Sequence, residues 1–151
     1  MQQIICILIL GLVLLSCQSK RIITQEQTSI ISMTIDSVLV KDLGLNTYDK
    51  WIDFSEVNFF ERQAINDFLK QRAKFIEINS DLLLKSDSTW IQCGFLQKVL
   101  IRFKKIELKG DSLIIDLDKI KATDGSNGFQ IILKKQKKHY KVVSAKMTWI
   151  S

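Results

Sequence analysis

The residues of this chain that could do chemistry are few, and its single histidine limits what they can do. A pair of Cys93 and His139 would supply a nucleophile and its base. However, His139 ends a lysine-rich run that is typical of a solvated turn. Asp116 and Asp118 alternate along a predicted strand, so both carboxylates point to one side and could bind a cation. Such alternation is more often a solvated face than a metal site.

Other kinds of site are disfavoured by what the sequence lacks. A zinc site of the usual kind needs several His or Cys ligands, and the chain has one histidine and three cysteines. The stretch Asp124-Gly125-Ser126-Asn127-Gly128 lacks the glutamate that closes an EF-hand, so it predicts a turn. The nucleophile-elbow, P-loop and dinucleotide motifs are absent. The sequence therefore predicts no catalytic residue, no metal site and no cofactor, and it favours a non-enzymatic role.

A run of lysines near the C-terminus is the most conspicuous surface feature. Residues 98–151 hold thirteen Lys and Arg against five Asp and Glu, a net +8, whereas residues 17–97 hold nine against eleven, a net −2. The run itself predicts a hairpin tip whose lysines discourage edge pairing. Alternatively, it contacts anionic headgroups or an anionic glycan. The candidate binding residues for such a surface are Lys134, Lys135, Lys137 and Lys138.

The first residues of the chain look like an export signal. Twelve residues from Ile4 to Leu15 carry no charged or polar side chain, and an abruptly polar stretch begins at Gln18. A membrane-spanning helix needs about 20 apolar residues, so this run is too short to span and fits the apolar region of a secretory signal. An uncleaved hydrophobic anchor, or an ordinary signal peptide cut elsewhere, is the alternative.

The order Leu14-Leu15-Ser16-Cys17 resembles the lipobox of bacterial lipoproteins. That resemblance implies cleavage after residue 16 and fatty acylation of Cys17, which becomes the membrane anchor. Gln18 is not the aspartate associated with inner-membrane retention, so the resemblance implies a cell-envelope protein on the outer membrane, facing the periplasm. A nucleic-acid partner is not expected there, whereas an envelope protein, a glycan or a lipid is.

The organisation follows from this reading. Residues 1–16 are the predicted signal peptide, residues 17–29 the lipidated cysteine with a flexible tether, and residues 30–151 a single domain. With Cys6 removed and Cys17 modified, no internal disulfide can form, and the remaining Cys93 is expected to be a buried small apolar residue.

The fold class comes from a change of period along the chain. Helical spacing over residues 30–43 and 55–73 gives way to short alternating apolar runs after residue 74, and Gly110-Asp111 between two of these runs predicts a hairpin. Strands are expected over residues 129–133, 140–143 and 147–150. The prediction is an α+β domain whose N-terminal helices pack on one face of an antiparallel sheet, in two layers.

The closing segments also resemble those of NTF2-like (cystatin-like roll) domains. The likeness lies in Phe129 to Leu133, a basic turn, Tyr140 to Val143 and Trp149-Ile150. It implies an alternative to a non-enzymatic interaction domain, namely a ligand carrier or small enzyme with a pocket lined by Phe60, Phe68 and Trp90. A deep pocket between helix and sheet would favour that alternative, and a solid core with exposed apolar side chains would favour an interaction domain.

Overall fold

The computed structural model describes residues 2–39, 49–79, 98–121 and 125–150, with side chains from residue 18 onward. Its elements, in chain order, are two helices and six strands. The helices are α1 (Gln2–Leu39) and α2 (Arg62–Gln71), and the strands are β1 (Asp49–Asp53), β2 (Phe75–Glu77), β3 (Lys98–Lys109), β4 (Ser112–Lys121), β5 (Gly125–Gln136) and β6 (His139–Ile150). The predicted α+β class is therefore confirmed.

Helix α1 extends through the segment for which a flexible tether was predicted. Residues 18–29 are helical, and Thr24 and Thr28 are buried. Each hydroxyl donates to the carbonyl oxygen four residues earlier, Thr24 to Lys20 at 3.0 Å and Thr28 to Thr24 at 2.9 Å. These bonds satisfy the hydroxyls inside the helix, so a polar sequence can form a buried helical turn here.

Helices α1 and α2 run side by side in the same direction. Near the start of α2, the Thr28 hydroxyl donates to the carbonyl oxygen of Ala64 at 3.2 Å. Beyond its end, Arg72 donates to the Asp36 carboxylate at 2.7 Å. Helix α2 is shorter than the predicted 55–73, because a turn in which the Val57 amide donates to the Phe54 carbonyl precedes it.

The sheet is mixed, which corrects the antiparallel sheet expected from the sequence. Its strand order is β2-β1-β3-β4-β5-β6, with β1 parallel to both β2 and β3, and antiparallel pairing from β3 to β6. Parallel neighbours need a crossover connection, and α2 supplies it between β1 and β2. The parallel pairing was not anticipated because no strand was predicted over residues 49–53.

Turn positions agree with the sequence in one place and differ in two. The predicted hairpin at Gly110-Asp111 is confirmed, and Gly110 has the positive φ of 61° that favours glycine. Residues 125–128, predicted as a turn, begin strand β5 and pair with β4, whereas Asp124 lies outside the described residues. Residues 140–143 and 147–150 belong to one strand, β6, which contains irregularities instead of a break.

The core joins both helices to alternate residues of the sheet. On β3, Val99, Ile101 and Phe103 are fully buried, and Phe103 pairs with the buried Leu117 of β4, which in turn pairs with the buried Phe129 of β5. Phe54 stacks on Phe103 with ring centroids 4.9 Å apart. The remaining core residues include Ile30, Ile31, Ile35, Val38, Ile65, Phe68, Leu113, Ile115, Leu117, Ile131 and Leu133.

Candidate functional site

The hairpin between β5 and β6 carries the predicted basic residues at its end. Its last strand pair is Gln136 with His139, which leaves Lys137 and Lys138 as the two-residue turn. Lys137 has a φ of 56°, a conformation that costs a residue with a Cβ about 1–2 kcal/mol relative to ordinary backbone. A lysine therefore occupies a position where glycine would be easier to accommodate.

The four predicted lysines form two pairs with different surroundings. Lys134 and Lys135 belong to strand β5 and not to the connection, and both meet carboxylates. The Lys134 Nζ atom lies 3.5 Å from Asp111, and the Lys135 Nζ atom lies 2.9 Å from Glu26 on helix α1. Lys137 and Lys138 are exposed and pair with no carboxylate in the described part of the chain. The hairpin tip is thus the part of the run that keeps its charge available.

Lys135 connects the sheet to helix α1. The adjacent Glu26 carboxylate raises the pKa of the Lys135 ammonium above its ordinary value. The ammonium also lies 5.3 Å from the centre of the Tyr140 ring. Lys135 therefore joins the hairpin to the helix.

The hairpin tip lies beside the part of α1 that runs from Ile22 to Met33. A recess of about 210 Å³ is shared by Lys138, His139 and Tyr140 on one side and by Ile22 and Glu26 on the other. Directly before Ile22 on the helix, Lys20 and Arg21 are exposed, and both also line the cleft between α1 and α2. We call Lys20, Arg21, Lys137 and Lys138 the basic end of the molecule. Next to it, Ile22 and Ile23 expose 66% and 44% of their surface.

The structure tests neither the predicted lipid attachment at Cys17 nor the possible nucleophile Cys93. The structure describes the backbone of Cys17 but not its side chain. Cys93 lies outside the described residues. His139 is exposed at the start of β6. Among the described residues, no group of three or more His, Cys, Asp or Glu side chains is arranged to hold a metal ion.

Two of the aromatic residues expected to line a pocket are packed in the core instead. Phe60 and Phe68 are buried in the core, with Phe60 edge-on to Phe103 at 5.7 Å and Phe68 against Phe75 at 5.3 Å between centroids. Trp90 lies outside the described residues. A cleft of about 1040 Å³ lies between α1 and α2 and is lined by polar residues.

A second cluster of charged side chains was not anticipated from the sequence. Asp53 on β1 is fully buried, and the Arg102 Nε atom on β3 lies 3.8 Å from its carboxylate. Glu56 is 3.8 Å from Arg102 and 3.5 Å from Lys104. Sequence reasoning missed the cluster because no strand was predicted at Asp53, so its place beside Arg102 could not be anticipated.

The aspartates of the predicted strand belong partly to this cluster. Register confirms that Asp116 and Asp118 share one side of β4, opposite Gln130 and Gly128 of β5. Burial raises the pKa of the Asp118 carboxyl, and the nearby Lys104 and Arg102 partly offset that effect. The Gln130 side chain donates to Asp116 at 3.0 Å.

Comparisons with family models, with curated proteins and with solved structures gave no match for this chain. Among the described residues, no helix combines the length and the apolar character that a membrane span requires.

Proposed function

We propose that this protein is an envelope lipoprotein, anchored by fatty acyl chains on Cys17 and facing the periplasm from the outer membrane. In this proposal its domain is a non-enzymatic binding module, with its helices as one layer against one face of the sheet. The observation that carries the proposal is the position of the basic end. The hairpin tip Lys137-Lys138 lies beside the stretch of α1 that follows Cys17.

Distance along the helix supports this arrangement. Residue 22, which lines the recess beside the hairpin, follows Cys17 by five residues, about 7.5 Å of helix. An acyl anchor at Cys17 would therefore hold the basic end at the headgroup level. Each basic residue near an anionic membrane surface contributes about 1 kcal/mol, so four of them can orient the domain that the acyl chains retain.

The apolar residues beside the basic end support the same orientation. Ile22 and Ile23 are largely exposed, next to Lys20 and Arg21. Apolar side chains among basic ones are typical of segments that lie in the membrane interface. The proposed function thus explains why two isoleucines are left outside the core.

An interaction domain is favoured over the NTF2-like carrier or enzyme. Phe60 and Phe68, which that alternative needs as pocket-lining residues, are packed among other core side chains. Apolar side chains on β6 are instead exposed, among them Val143, Met147, Trp149 and Ile150. A filled core with apolar groups on the outside is typical of a protein that binds a partner at its surface.

The anchor is tested by expressing the full chain in a bacterium with two membranes, as the natural sequence and as Cys17→Ser. We expect the natural protein to fractionate with membranes and to carry the mass of the acyl groups. The serine variant should lack that mass. Membrane association at the same mass in both proteins would contradict the lipid anchor.

The orientation is tested separately on the chain from Gln18 onward, with vesicles rich in phosphatidylglycerol. Lys137→Glu with Lys138→Glu should weaken binding at low salt, because it reverses two charges of the basic end. Lys70→Glu with Lys74→Glu is the matched control, since both lysines are exposed near the end of α2. This end contacts the C-terminal part of α1, through Arg72 and Asp36, and not the hairpin tip. Equal loss in the two variants would contradict a specific basic end.

A further inference from the structure

One row of paired residues crosses the sheet on the side opposite to the core. Register places Asp53 beside Arg102, Arg102 beside Asp118, Asp118 beside Gly128, and Gly128 beside Trp149. The row joins five neighbouring strands, β1 and β3 to β6. It begins with the buried charged cluster and ends with an exposed aromatic ring.

The glycine in this row allows the tryptophan to lie on the sheet. A Cβ atom at residue 128 would be 1.9 Å from the Trp149 Nε1 atom and 2.3 Å from its Cδ1 atom. The five-membered part of the indole therefore lies directly over Gly128, in space that any other residue would fill. Trp149 still exposes 43% of its surface, so the side of the ring away from the sheet is accessible.

Polar groups border this ring on one side. Trp149 shares a cleft of about 440 Å³ with Lys104, Asp116, Asp118 and Thr148. These side chains supply an ammonium and a hydroxyl as donors, and two carboxylates and the hydroxyl as acceptors. The cleft thus combines a flat apolar surface with both kinds of hydrogen-bonding group.

Neighbouring side chains on the adjacent strands position the two carboxylates. Asp116 is fixed by the hydrogen bond from Gln130, and Asp118 lies opposite Arg102 in the register. The Lys104 Nζ atom is 3.9 Å from Asp118, beyond hydrogen-bonding distance, so the ammonium can donate to an incoming ligand and the carboxylate can accept from it. The Arg102 side chain is only 9% exposed, and its Nε and Nη2 atoms make no hydrogen bond. Buried donors of this kind usually have a partner.

We propose that this cleft binds a neutral sugar ring of an oligosaccharide, which stacks on Trp149 and hydrogen-bonds to Asp116, Asp118 and Lys104. The apolar face of a sugar ring matches an exposed indole, and its hydroxyls both donate and accept. Asp116 and Asp118 disfavour an anionic ligand, and Lys104 disfavours a cation. The inference rests on the geometry of the row and not on the lipid anchor.

The test is calorimetric titration of the full chain with maltopentaose and with the pentamer of N-acetylglucosamine, in a detergent whose headgroup is not a sugar. We expect at least one of them to bind. The NMR signal of the Trp149 indole N–H, assigned by its loss in Trp149→Phe, should move on binding. Trp149→Ala should weaken the affinity about tenfold or more, because the stacking surface is removed.

Further variants separate binding from folding. Gly128→Ala keeps the tryptophan but displaces its ring, and Asp118→Asn keeps the ring but changes an acceptor, so both should weaken binding even if Trp149→Ala does not fold. Ile150→Ala is the matched control, because this neighbouring side chain is also exposed, and it should retain full affinity.

Three outcomes would overturn the proposal. The first is that neither pentasaccharide binds. The second is that Trp149→Ala, Gly128→Ala and Asp118→Asn all bind as well as the natural chain. The third is that tetramethylammonium moves the Trp149 signal and neither saccharide does, which would make the ring a site for cations.

Discussion

The ammonium of Lys135 on strand β5 lies 2.9 Å from the carboxylate of Glu26 on helix α1. This pair ties the helical segment that follows Cys17 to the hairpin that ends in Lys137 and Lys138. The two side chains come from opposite ends of the chain, so their contact exists only in the folded protein. Its contribution to stability can therefore be measured by removing either partner.

Lys135→Met should lower the free energy of unfolding by at most about 1 kcal/mol, because partly exposed ion pairs contribute little and are screened by salt. The folded pKa of Lys135 is raised above its ordinary value of 10.5. The contribution is therefore fully present below pH 10.5 and is lost as the pH rises through the folded pKa. Urea unfolding at neutral pH and above pH 10.5, at low and high salt, measures both effects. Lys138→Met is the control, and an equal loss in both variants would contradict the role of the pair.

Lys137→Gly should stabilise the protein or leave it unchanged. Glycine adopts the φ of 56° found at this position without steric cost, although it also gains freedom in the unfolded chain. The expected net gain is up to about 1 kcal/mol, read from the thermal midpoint. Lys138→Gly, at the next residue of the turn, lacks the positive φ and should destabilise slightly. If Lys137→Gly lost as much stability as Lys138→Gly, the backbone argument would be wrong.

The sequence predicted strands correctly where one side of the sheet is apolar and the other polar. Strand β5 alternates at Phe129, Ile131 and Leu133, and these residues are core. Strand β1 could not be found in this way, because Lys50 and Asp53 are buried beside Trp51 and Ile52. When both sides of a strand are covered, alternation disappears, and only the paired neighbours show that a strand is present.

The basic run was predicted as a hairpin tip, but the division of its lysines was not. Nothing near Lys135 in the sequence indicates that Glu26 neutralises it, because that contact depends on the packing of α1 against the sheet. Similarly, the stacking of Trp149 on Gly128 depends on strand register. Local patterns predict elements, whereas a site that joins several strands is determined by register.

Asp118→Asn should stabilise the protein at neutral pH. Burial raises the pKa of Asp118 in the folded state above its ordinary value of 3.8, which means that the ionised carboxylate is unfavourable there. Stability therefore falls as the pH rises from 3.8 through the folded pKa. The advantage of the asparagine variant should vanish below pH 3.8, where the aspartate is protonated in both states. Urea unfolding across this range measures it, and a constant difference at all pH values would contradict the assignment.

Two arginine–aspartate pairs in the described part of the chain should rank in stability by burial and not by distance. Arg72 lies 2.7 Å from Asp36, but their side chains are 37% and 49% exposed. Arg102 lies 3.8 Å from Asp53, with side chains 9% and 0% exposed. Arg72→Met should therefore cost at most about 1 kcal/mol, whereas Arg102→Met should cost about 3 kcal/mol, because it leaves the Asp53 carboxylate buried without this cation.

Adding Asp53→Asn to Arg102→Met separates the loss of the pair from the cost of an uncompensated charge. Asparagine keeps an oxygen that can accept the Ser55 amide, which donates to Asp53 at 2.8 Å. The double variant should therefore be more stable than Arg102→Met alone, since residue 53 then carries no buried charge. Chemical denaturation at neutral pH of the natural chain, Arg72→Met, Arg102→Met and the double variant gives the free energies of unfolding to be compared. A loss in Arg102→Met no larger than that in Arg72→Met would show that Asp53 does not depend on Arg102 for its compensation.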